Sequence, residues 1–212
     1  MPRPVARLAL LLANALACGT PAPAATATDA AAGADASPAA DTAPASDTGA
    51  KPADAATPVD TAAAATPTEY VATLADFDCI KHGTKVGHFY VANRIGLQAS
   101  AVAVAKSNAK GNAYPVGTIL RIFPLEAMVK RGKEFAATGG WEFFKLKQSG
   151  GQLTIEQRGG AEVKNGSGPC LGCHQPAAEF DFVCGTDHGC AALGVTDEIV
   201  DALQDNDPLC KK

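Results

Sequence analysis

The chain has 212 residues, of which 18 are basic and 22 acidic, and its formal net charge is −4. This near balance gives no case for a nucleic-acid-binding protein or for a protein held by charge on an acidic membrane. The length allows one folded domain of ordinary size beside other segments, but it is too short for two large domains.

An export signal is predicted over residues 1–17, where two arginines precede an apolar run too short to span a bilayer. Cleavage after Ala17 suits either an ordinary signal peptidase or lipoprotein processing, which would attach a lipid to Cys18. We therefore predict an exported bacterial protein that is periplasmic or anchored in the outer membrane through that lipid.

A disordered linker is predicted over residues 18–68, since nearly all of it is Ala, Pro, Thr and Asp and none of it is aromatic. Such a composition buries too little apolar surface to offset the entropy of ordering the chain. The linker would be a tether if Cys18 carries a lipid, and otherwise a long leader without function. One folded domain is predicted over residues 69–212.

Four stretches have the composition or the alternation of β-strands. They are residues 86–92, 116–123, 141–147 and 153–158. In the third stretch, Trp141 and Phe143 fall on one face, whereas Phe144 falls on the other. The glycines of residues 149–152 predict a hairpin between the last two strands.

Three helices are predicted among these strands. They cover residues 97–106, residues 125–131, and a C-terminal segment that follows Thr196 and ends before Pro208. The buried stripe of the last helix is predicted to be Ile199, Val200 and Leu203. We therefore predict an α+β fold, mainly an antiparallel β-sheet with a few short helices.

The most specific signal is the run Cys170-Leu171-Gly172-Cys173-His174, which is the C-x-x-C-H signature of covalent haem c attachment. The two thiols would bind the haem vinyl groups as thioethers, and His174 would be the proximal ligand of the iron. Half of a zinc site and a thioredoxin-like dithiol are the alternatives. A glycine-rich run and Pro169 precede the motif, which favours a loop over the strand-to-helix position of a redox dithiol.

The remaining cysteines of the domain predict two disulfide bonds, as expected of an exported protein. They are Cys79, Cys184, Cys190 and Cys210. Three connectivities are possible, and we favour Cys184–Cys190 as a local clip with Cys79–Cys210 joining the two ends of the domain.

A β-rich domain with C-x-x-C-H near its C-terminus resembles the cytochrome P-460 family and its relatives, the cytochromes c′-beta. The residues that carry the resemblance are 114–121 (YPVGTILR), 141–146 (WEFFKL) and 170–174 (CLGCH). The likeness extends over roughly residues 80–180. It implies a mainly antiparallel β domain, often a homodimer, with one covalent haem c, His174 as proximal ligand and an open distal position.

Members of that family oxidise hydroxylamine or bind nitric oxide. The resemblance also implies that the oxidising members carry a covalent lysine–haem cross-link, whose register falls at Arg121-Ile122 in this chain. No lysine stands there, and Lys130 is the nearest one downstream. Hydroxylamine oxidation of that kind is therefore not expected.

The residues that could occupy or line the distal side of the iron are few. Met128 and His88 are the main candidates for a sixth ligand, although a core methionine and a paired strand histidine are commoner roles for such residues. His82 and His188 complete the set. The candidate pocket residues are Phe89, Arg121, Phe123, Glu126, Phe143 and Phe144.

Three functions remain open at this stage. The first is a haem protein that binds nitric oxide or a related ligand, and the second is an enzyme that oxidises hydroxylamine or reduces peroxide. The third is an electron-transfer cytochrome whose redox partner would dock on the basic cluster Lys130, Arg131 and Lys133.

Overall fold

A computed structural model of the chain describes residues 67–107 and 109–211. The predicted export signal, Cys18 and the predicted linker up to residue 66 lie outside the described residues. Within them, six strands form one antiparallel sheet whose spatial order follows the chain. The predicted fold class is confirmed.

The sheet consists of strands joined mostly by short connections. They are β1 (Thr84–Val86), β2 (Phe89–Asn93), β3 (Thr118–Arg121), β4 (Glu126–Lys130), β5 (Trp141–Ser149) and β6 (Gln152–Gly159). A separate small hairpin follows, made of β7 (Lys164–Asn165) and β8 (Gly168–Pro169). The helices are α1 (Gln98–Ser107), α2 (Cys170–His174) and α3 (Asp197–Asp205). Short 3-10 turns lie at Leu74–Asp76, Ile80–His82, Lys133–Thr138, Gln175–Phe180 and Pro208–Cys210.

The predicted first strand is in fact a hairpin. Val86 and Phe89 are paired, so the chain reverses through the two residues between them. Gly87 opens this turn with a φ of 56°, a conformation that glycine adopts without steric cost. The predicted hairpin at residues 149–152 is confirmed, since Ser149 pairs with Gln152.

The predicted helix over residues 125–131 is wrong, because this segment forms β4. Met128 pairs with Leu120 of β3 on one side and with Phe143 of β5 on the other. The residues are good helix formers, but hydrogen bonding to a strand on each side outweighs that weak preference. The predicted helix over residues 97–106 is found as α1.

The buried stripe of α3 differs by one position from the prediction. Val200 and Gln204 are buried, whereas Ile199 is 38% exposed. Gln204 is buried because its amide donates to the carbonyls of His88 (2.7 Å) and Ile122 (2.9 Å). A polar residue thus fixes α3 against the sheet, which a search for apolar stripes does not find.

Alternation along the strands gives the sheet two covered faces. The motif face carries Val91, Leu120, Met128, Trp141 and Phe143, against which α1, Cys170 and Leu171 pack. The rear face carries Ile119, Ala127, Val129, Phe144 and Leu146, covered by Ala72 and Phe77 of the segment before β1. The C-x-x-C-H motif therefore lies on one defined side of the sheet.

Both predicted disulfide bonds are confirmed. Cys79–Cys210 joins positions 131 residues apart, and Cys184–Cys190 closes a short loop. The long bridge is reinforced by Asp207, a fully buried carboxylate that accepts the backbone N–H of Ile80 at 2.7 Å. Closing a loop of this length is worth about 5 kcal/mol in the chain-entropy account of disulfides. Among the described residues, no helix has the length and apolar character that crossing a membrane would need.

Candidate haem site

The C-x-x-C-H motif forms one helical turn, α2, where the sequence suggested a loop. It directly follows β8, and the Cys170 N–H donates to the Val163 carbonyl at 2.9 Å. This bond ties the start of the turn to the chain just before β7. Cys170 and Leu171 pack on the motif face, so the turn presents its side chains to the apolar side of the sheet.

The His174 ring is held as expected of a metal-ligating histidine. Its Nδ1–H donates to the Phe182 carbonyl at 2.8 Å, and the Phe143 ring packs on it with centroids 5.2 Å apart. A carbonyl can only accept, so the proton is fixed on Nδ1 and the Nε2 lone pair remains for a metal. Burial lowers the pKa of His174, which favours the uncharged imidazole that iron requires.

The carbonyl that holds His174 belongs to an unusual stretch of backbone, residues 181–184, called here the proximal segment. Asp181 and Phe182 have φ values of 55° and 61°, a left-handed conformation that is rare for residues other than glycine. Each such residue costs on the order of 1 kcal/mol or more, so surrounding contacts must hold it.

Those contacts converge on Asp181. Its carboxylate accepts Lys130 Nζ at 2.5 Å and the Tyr114 N–H at 2.8 Å, while its carbonyl accepts the Trp141 indole N–H at 2.6 Å. The side chains of Asp181 and Lys130 are each about 10% exposed. Burial raises the pKa of Asp181, and the Lys130 ammonium opposes that rise.

The Cys184–Cys190 disulfide lies next to the Nδ1 side of the His174 ring. The Cys184 sulfur is 3.9 Å from His174 Nδ1 and 3.5 Å from the Cys173 carbonyl oxygen. The clip therefore supports the same side of the ring as the Phe182 carbonyl, which leaves the Nε2 side for the cofactor.

Cys170 and Glu126 lie close together at the other end of the motif. Burial raises the pKa of the free Cys170 thiol to about 11, and the nearby Glu126 carboxylate adds to the rise. Burial also raises the pKa of Glu126, although a hydrogen bond to Asn165 acts in the opposite direction. The Cys170 thiol is therefore protonated at neutral pH, and Glu126 holds a proton more readily than an exposed glutamate does.

These residues fit a haem group. A histidine with a fixed tautomer and an available Nε2, the free Cys170 thiol in the same helical turn, and apolar neighbours such as Leu171 and Phe143 are groups that a c-type haem uses. A zinc site is not supported. In the parts of the chain that the structure describes, three potential ligand atoms converge only at Cys79, Asp207 and Cys210. Both sulfurs of that group are committed to a disulfide bond.

The structure separates the predicted pocket residues into two groups. Phe89, Met128 and Phe143 belong to the motif face or pack on it, and Glu126 lies beside Cys170. Arg121 and Phe144 do not belong there, because alternation along β3 and β5 places them on the rear side. Their inclusion in the pocket is corrected accordingly.

The contacts of the remaining candidates are also clear. Arg121 donates to the Asp78 carbonyl at 2.6 Å and lies 4.0 Å from Asp207. It therefore connects the segment before β1 with the segment after α3. Phe123 is half-buried in the β3–β4 connection. His88 is exposed, with Nδ1 3.6 Å from an Asp197 carboxylate oxygen.

Sequence reasoning missed the supporting residues of the site. Lys130 and Arg131 were grouped with Lys133 as a basic surface cluster, but both are buried: Lys130 pairs with Asp181, and Arg131 pairs with Glu142. Asp181 was not singled out, since its partners stand far away in the sequence. No local pattern could have revealed them.

The sequence also did not reveal the buried position of His188. It is 6% exposed, its ring is stacked on Phe180 with centroids 3.7 Å apart, and its Nδ1–H donates to the Val183 carbonyl at 2.5 Å. Its Nε2 is buried and has no hydrogen-bond partner. It lines a cleft together with Phe89, Tyr114 and Val183.

Comparison with known proteins gives one finding. The family model described as Cytochrome P460 matches residues 89–184, which include β2 to β8, α1 and the whole of α2. Comparison with curated proteins and with solved structures gives no significant match. The matched segment contains the C-x-x-C-H turn, most of the sheet on which it packs and the proximal segment, so the family implies a haem cofactor for this site. Over residues 89–184, which are fewer than half of its 212 residues, the chain is similar to the cytochrome P460 family.

Proposed function

We propose that the protein is an exported c-type cytochrome with a single haem, attached through Cys170 and Cys173 and ligated by His174. We further propose that the opposite side of the iron is open and binds or processes small nitrogen compounds such as nitric oxide or hydroxylamine. The observation that carries the proposal is the fixed tautomer of His174, whose Nδ1–H donates to Phe182 and whose Nε2 remains available.

Attachment requires each thiol to add across one vinyl group. The sulfur bonds to one vinyl carbon and the thiol hydrogen goes to the other, so no electrons are gained or lost. Cys173 is disulfide-bonded in this structure. A dithiol reductant would first have to supply two electrons and two protons to release its thiol, and would itself become a disulfide. Because the Cys170 thiol is protonated at neutral pH, we expect attachment to need the cell's maturation machinery rather than to proceed unaided.

Bound haem would supply an iron that takes up diatomic ligands and exchanges electrons. The chain's own contribution is to fix His174, to exclude water with apolar residues of the motif face, and to place Glu126 beside the attachment point. Apolar surroundings favour a neutral ligand such as nitric oxide over an anion. Glu126 supports an oxidase or peroxidase variant of the proposal, because burial raises its pKa and a carboxyl that holds its proton more readily than an exposed glutamate can serve as a proton donor.

The lysine cross-link of hydroxylamine-oxidising relatives is not part of the proposal. Lys130 is the nearest lysine after the expected position, and its ammonium donates to Asp181 and to the Gly139 carbonyl. It also lies 5.1 Å from the centre of the Trp141 ring. These contacts support a structural role for Lys130, which favours ligand binding over oxidation by a cross-linked haem.

Electron transfer is the second candidate function, and Met128 is the observation that favours it. Met128 is on the motif face, paired across the strands with Phe143, whose ring touches His174. It is also a core residue, 6% exposed. The predicted docking cluster gives this candidate no support, since Lys130 and Arg131 are buried in ion pairs. Export, either to the periplasm or to the outer membrane through a lipid on Cys18, and assembly as a homodimer remain parts of the proposal.

The experiment that tests the proposal is the optical and EPR spectrum of the purified holoprotein, ferric and ferrous, with and without nitric oxide. High-spin iron that takes up nitric oxide is expected, and hydroxylamine and peroxide turnover would then be measured with an electron acceptor. Low-spin iron that ignores the ligand would contradict the open site. Denaturing electrophoresis with haem staining and the mass of the haem peptide test covalent attachment and the number of haems.

A further inference from the structure

The position of the Phe182 carbonyl depends on residues far from the haem motif. This carbonyl is the atom that orients His174. Phe182 directly follows Asp181, and both residues have a left-handed backbone conformation that other contacts must maintain. What holds Asp181 in place therefore also controls the proximal histidine.

The contacts of Asp181 come from three separate parts of the chain. Lys130 on β4 reaches its carboxylate, as does the backbone of Tyr114 before β3, and Trp141 on β5 binds its carbonyl. Lys130 is itself fixed by the Gly139 carbonyl at 2.6 Å. The proximal segment is thus anchored to strands β4 and β5 as well as to the segment before β3.

The Phe182 side chain is confined on its other side. A Cβ placed on Gly139 would lie 2.4 Å from the Phe182 ring, so the ring packs directly against the Gly139 backbone. The Phe182 N–H also donates to the Ala177 carbonyl at 2.9 Å. The peptide that presents the carbonyl is consequently fixed at its backbone and at its side chain.

We propose that Asp181, through its buried ion pair with Lys130, is a positioning residue for His174. It holds the Phe182 carbonyl against Nδ1 and thereby sets how strongly the imidazole donates electrons to the iron. A stronger Nδ1–H hydrogen bond makes Nε2 a better donor, which stabilises ferric iron and lowers the reduction potential. This inference rests on the proposed function, because it assumes haem iron at Nε2.

The test compares Asp181→Asn with Glu142→Gln in the full-length holoprotein. Glu142 is a matched control, since it is a buried carboxylate on the neighbouring strand that accepts Arg131 and Arg158 Nε, the latter at 2.6 Å. Its ion pairs do not involve the proximal segment. Both substitutions remove a buried carboxylate that pairs with a buried cation, Lys130 or Arg131, and both are expected to destabilise the fold.

Of these two substitutions, only Asp181→Asn is expected to change the iron–histidine bond and the reduction potential of the iron. We expect the iron–histidine stretching band in the ferrous resonance Raman spectrum to move to lower frequency and the midpoint potential to become more positive. Glu142→Gln should match the wild type in both measurements. Trp141→Phe removes one hydrogen bond to Asp181 without leaving a charge unpaired, and should produce a smaller shift in the same direction if Asp181→Asn fails to fold.

The proposal is overturned if Asp181→Asn and Trp141→Phe leave both measurements at the wild-type values, or if Glu142→Gln shifts them equally. Failure of the haem assignment is recognised separately, as a chain that acquires no haem. In that event, the ¹⁵N NMR signals of the His174 imidazole in the full chain still test whether Asp181 positions His174. The Nδ1–H tautomer should persist in the wild type and in Glu142→Gln, and be mixed with the other tautomer in Asp181→Asn. The wild-type tautomer in all three proteins would overturn the positioning role.

Discussion

Two histidines of this protein, one in the helical turn α2 and one in the disulfide loop after it, are held in the same way. His174 donates its Nδ1–H to the carbonyl of Phe182, and His188 donates its own to the next carbonyl, that of Val183. Both keep Nε2 available. The difference lies in their surroundings, because only His174 follows two cysteines that could bind a cofactor. A fixed tautomer leaves one ring nitrogen of a histidine able to ligate a metal. Whether a metal binds there depends on the neighbouring residues.

The largest expected effect comes from removing His174 itself. His174→Gly should abolish the wild-type haem spectrum, because the iron loses its proximal ligand, and added imidazole should partly restore it. His188→Phe should leave the spectrum unchanged. A Soret band altered equally by both substitutions would show that the two histidines have the same role.

The two disulfide bonds give a second contrast, which separates stability from the site. The chain-entropy account assigns about 5 kcal/mol to Cys79–Cys210 and roughly 2 kcal/mol to the short Cys184–Cys190 loop. The Cys79→Ser/Cys210→Ser protein should therefore lose more stability in urea unfolding. The Cys184→Ser/Cys190→Ser protein should show the larger spectral change, since the Cys184 sulfur lies 3.9 Å from His174 Nδ1.

Met128 tests the candidate for the sixth ligand at nearly constant volume. Met128→Leu should leave the ferric spin state unchanged and cost less than about 1.5 kcal/mol, because leucine fills a similar core volume without sulfur. Conversion from low-spin to high-spin iron in this variant would favour the electron-transfer function. EPR of the ferric holoprotein is the measurement.

The smallest expected effect is a pH dependence of the free energy of unfolding. It comes from Glu126, which belongs to the same site as His174. Its pKa is raised in the folded protein, so the native state holds this proton more tightly than the unfolded chain does. Stability from this group is present at low pH and is lost as the pH rises through the raised pKa. Glu126→Gln cannot titrate, so its stability relative to the wild type should increase between pH 4 and pH 7. Urea unfolding at the two pH values measures this difference, and an unchanged difference would contradict it.

Short-range patterns predicted the parts of this protein that depend on neighbours in the sequence. The alternation of Trp141 and Phe143 against Phe144 placed the aromatic residues correctly on two faces, and the glycine pair at residues 150–151 predicted the hairpin. Cysteine count and spacing were sufficient for both disulfides.

Long-range contacts account for what was missed. The segment around Met128 has helical propensity, but two neighbouring strands make it a strand, and those strands come from other parts of the chain. Lys130 and Asp181 form an ion pair across 51 positions, so a basic residue that looked exposed is buried. Arg121 resembled a pocket residue for the same reason, because its partner Asp207 is close to the C-terminus.

The bond between Cys79 and Cys210 also has a mechanical consequence. If the described part of the chain is pulled from its two ends, the load passes from one sulfur to the other and bypasses the sheet. A single proteolytic cut between these positions would leave both fragments covalently joined, with the haem motif still connected to the strands that support it. A domain with this closure can resist stretching and nicking that would separate the parts of an open chain.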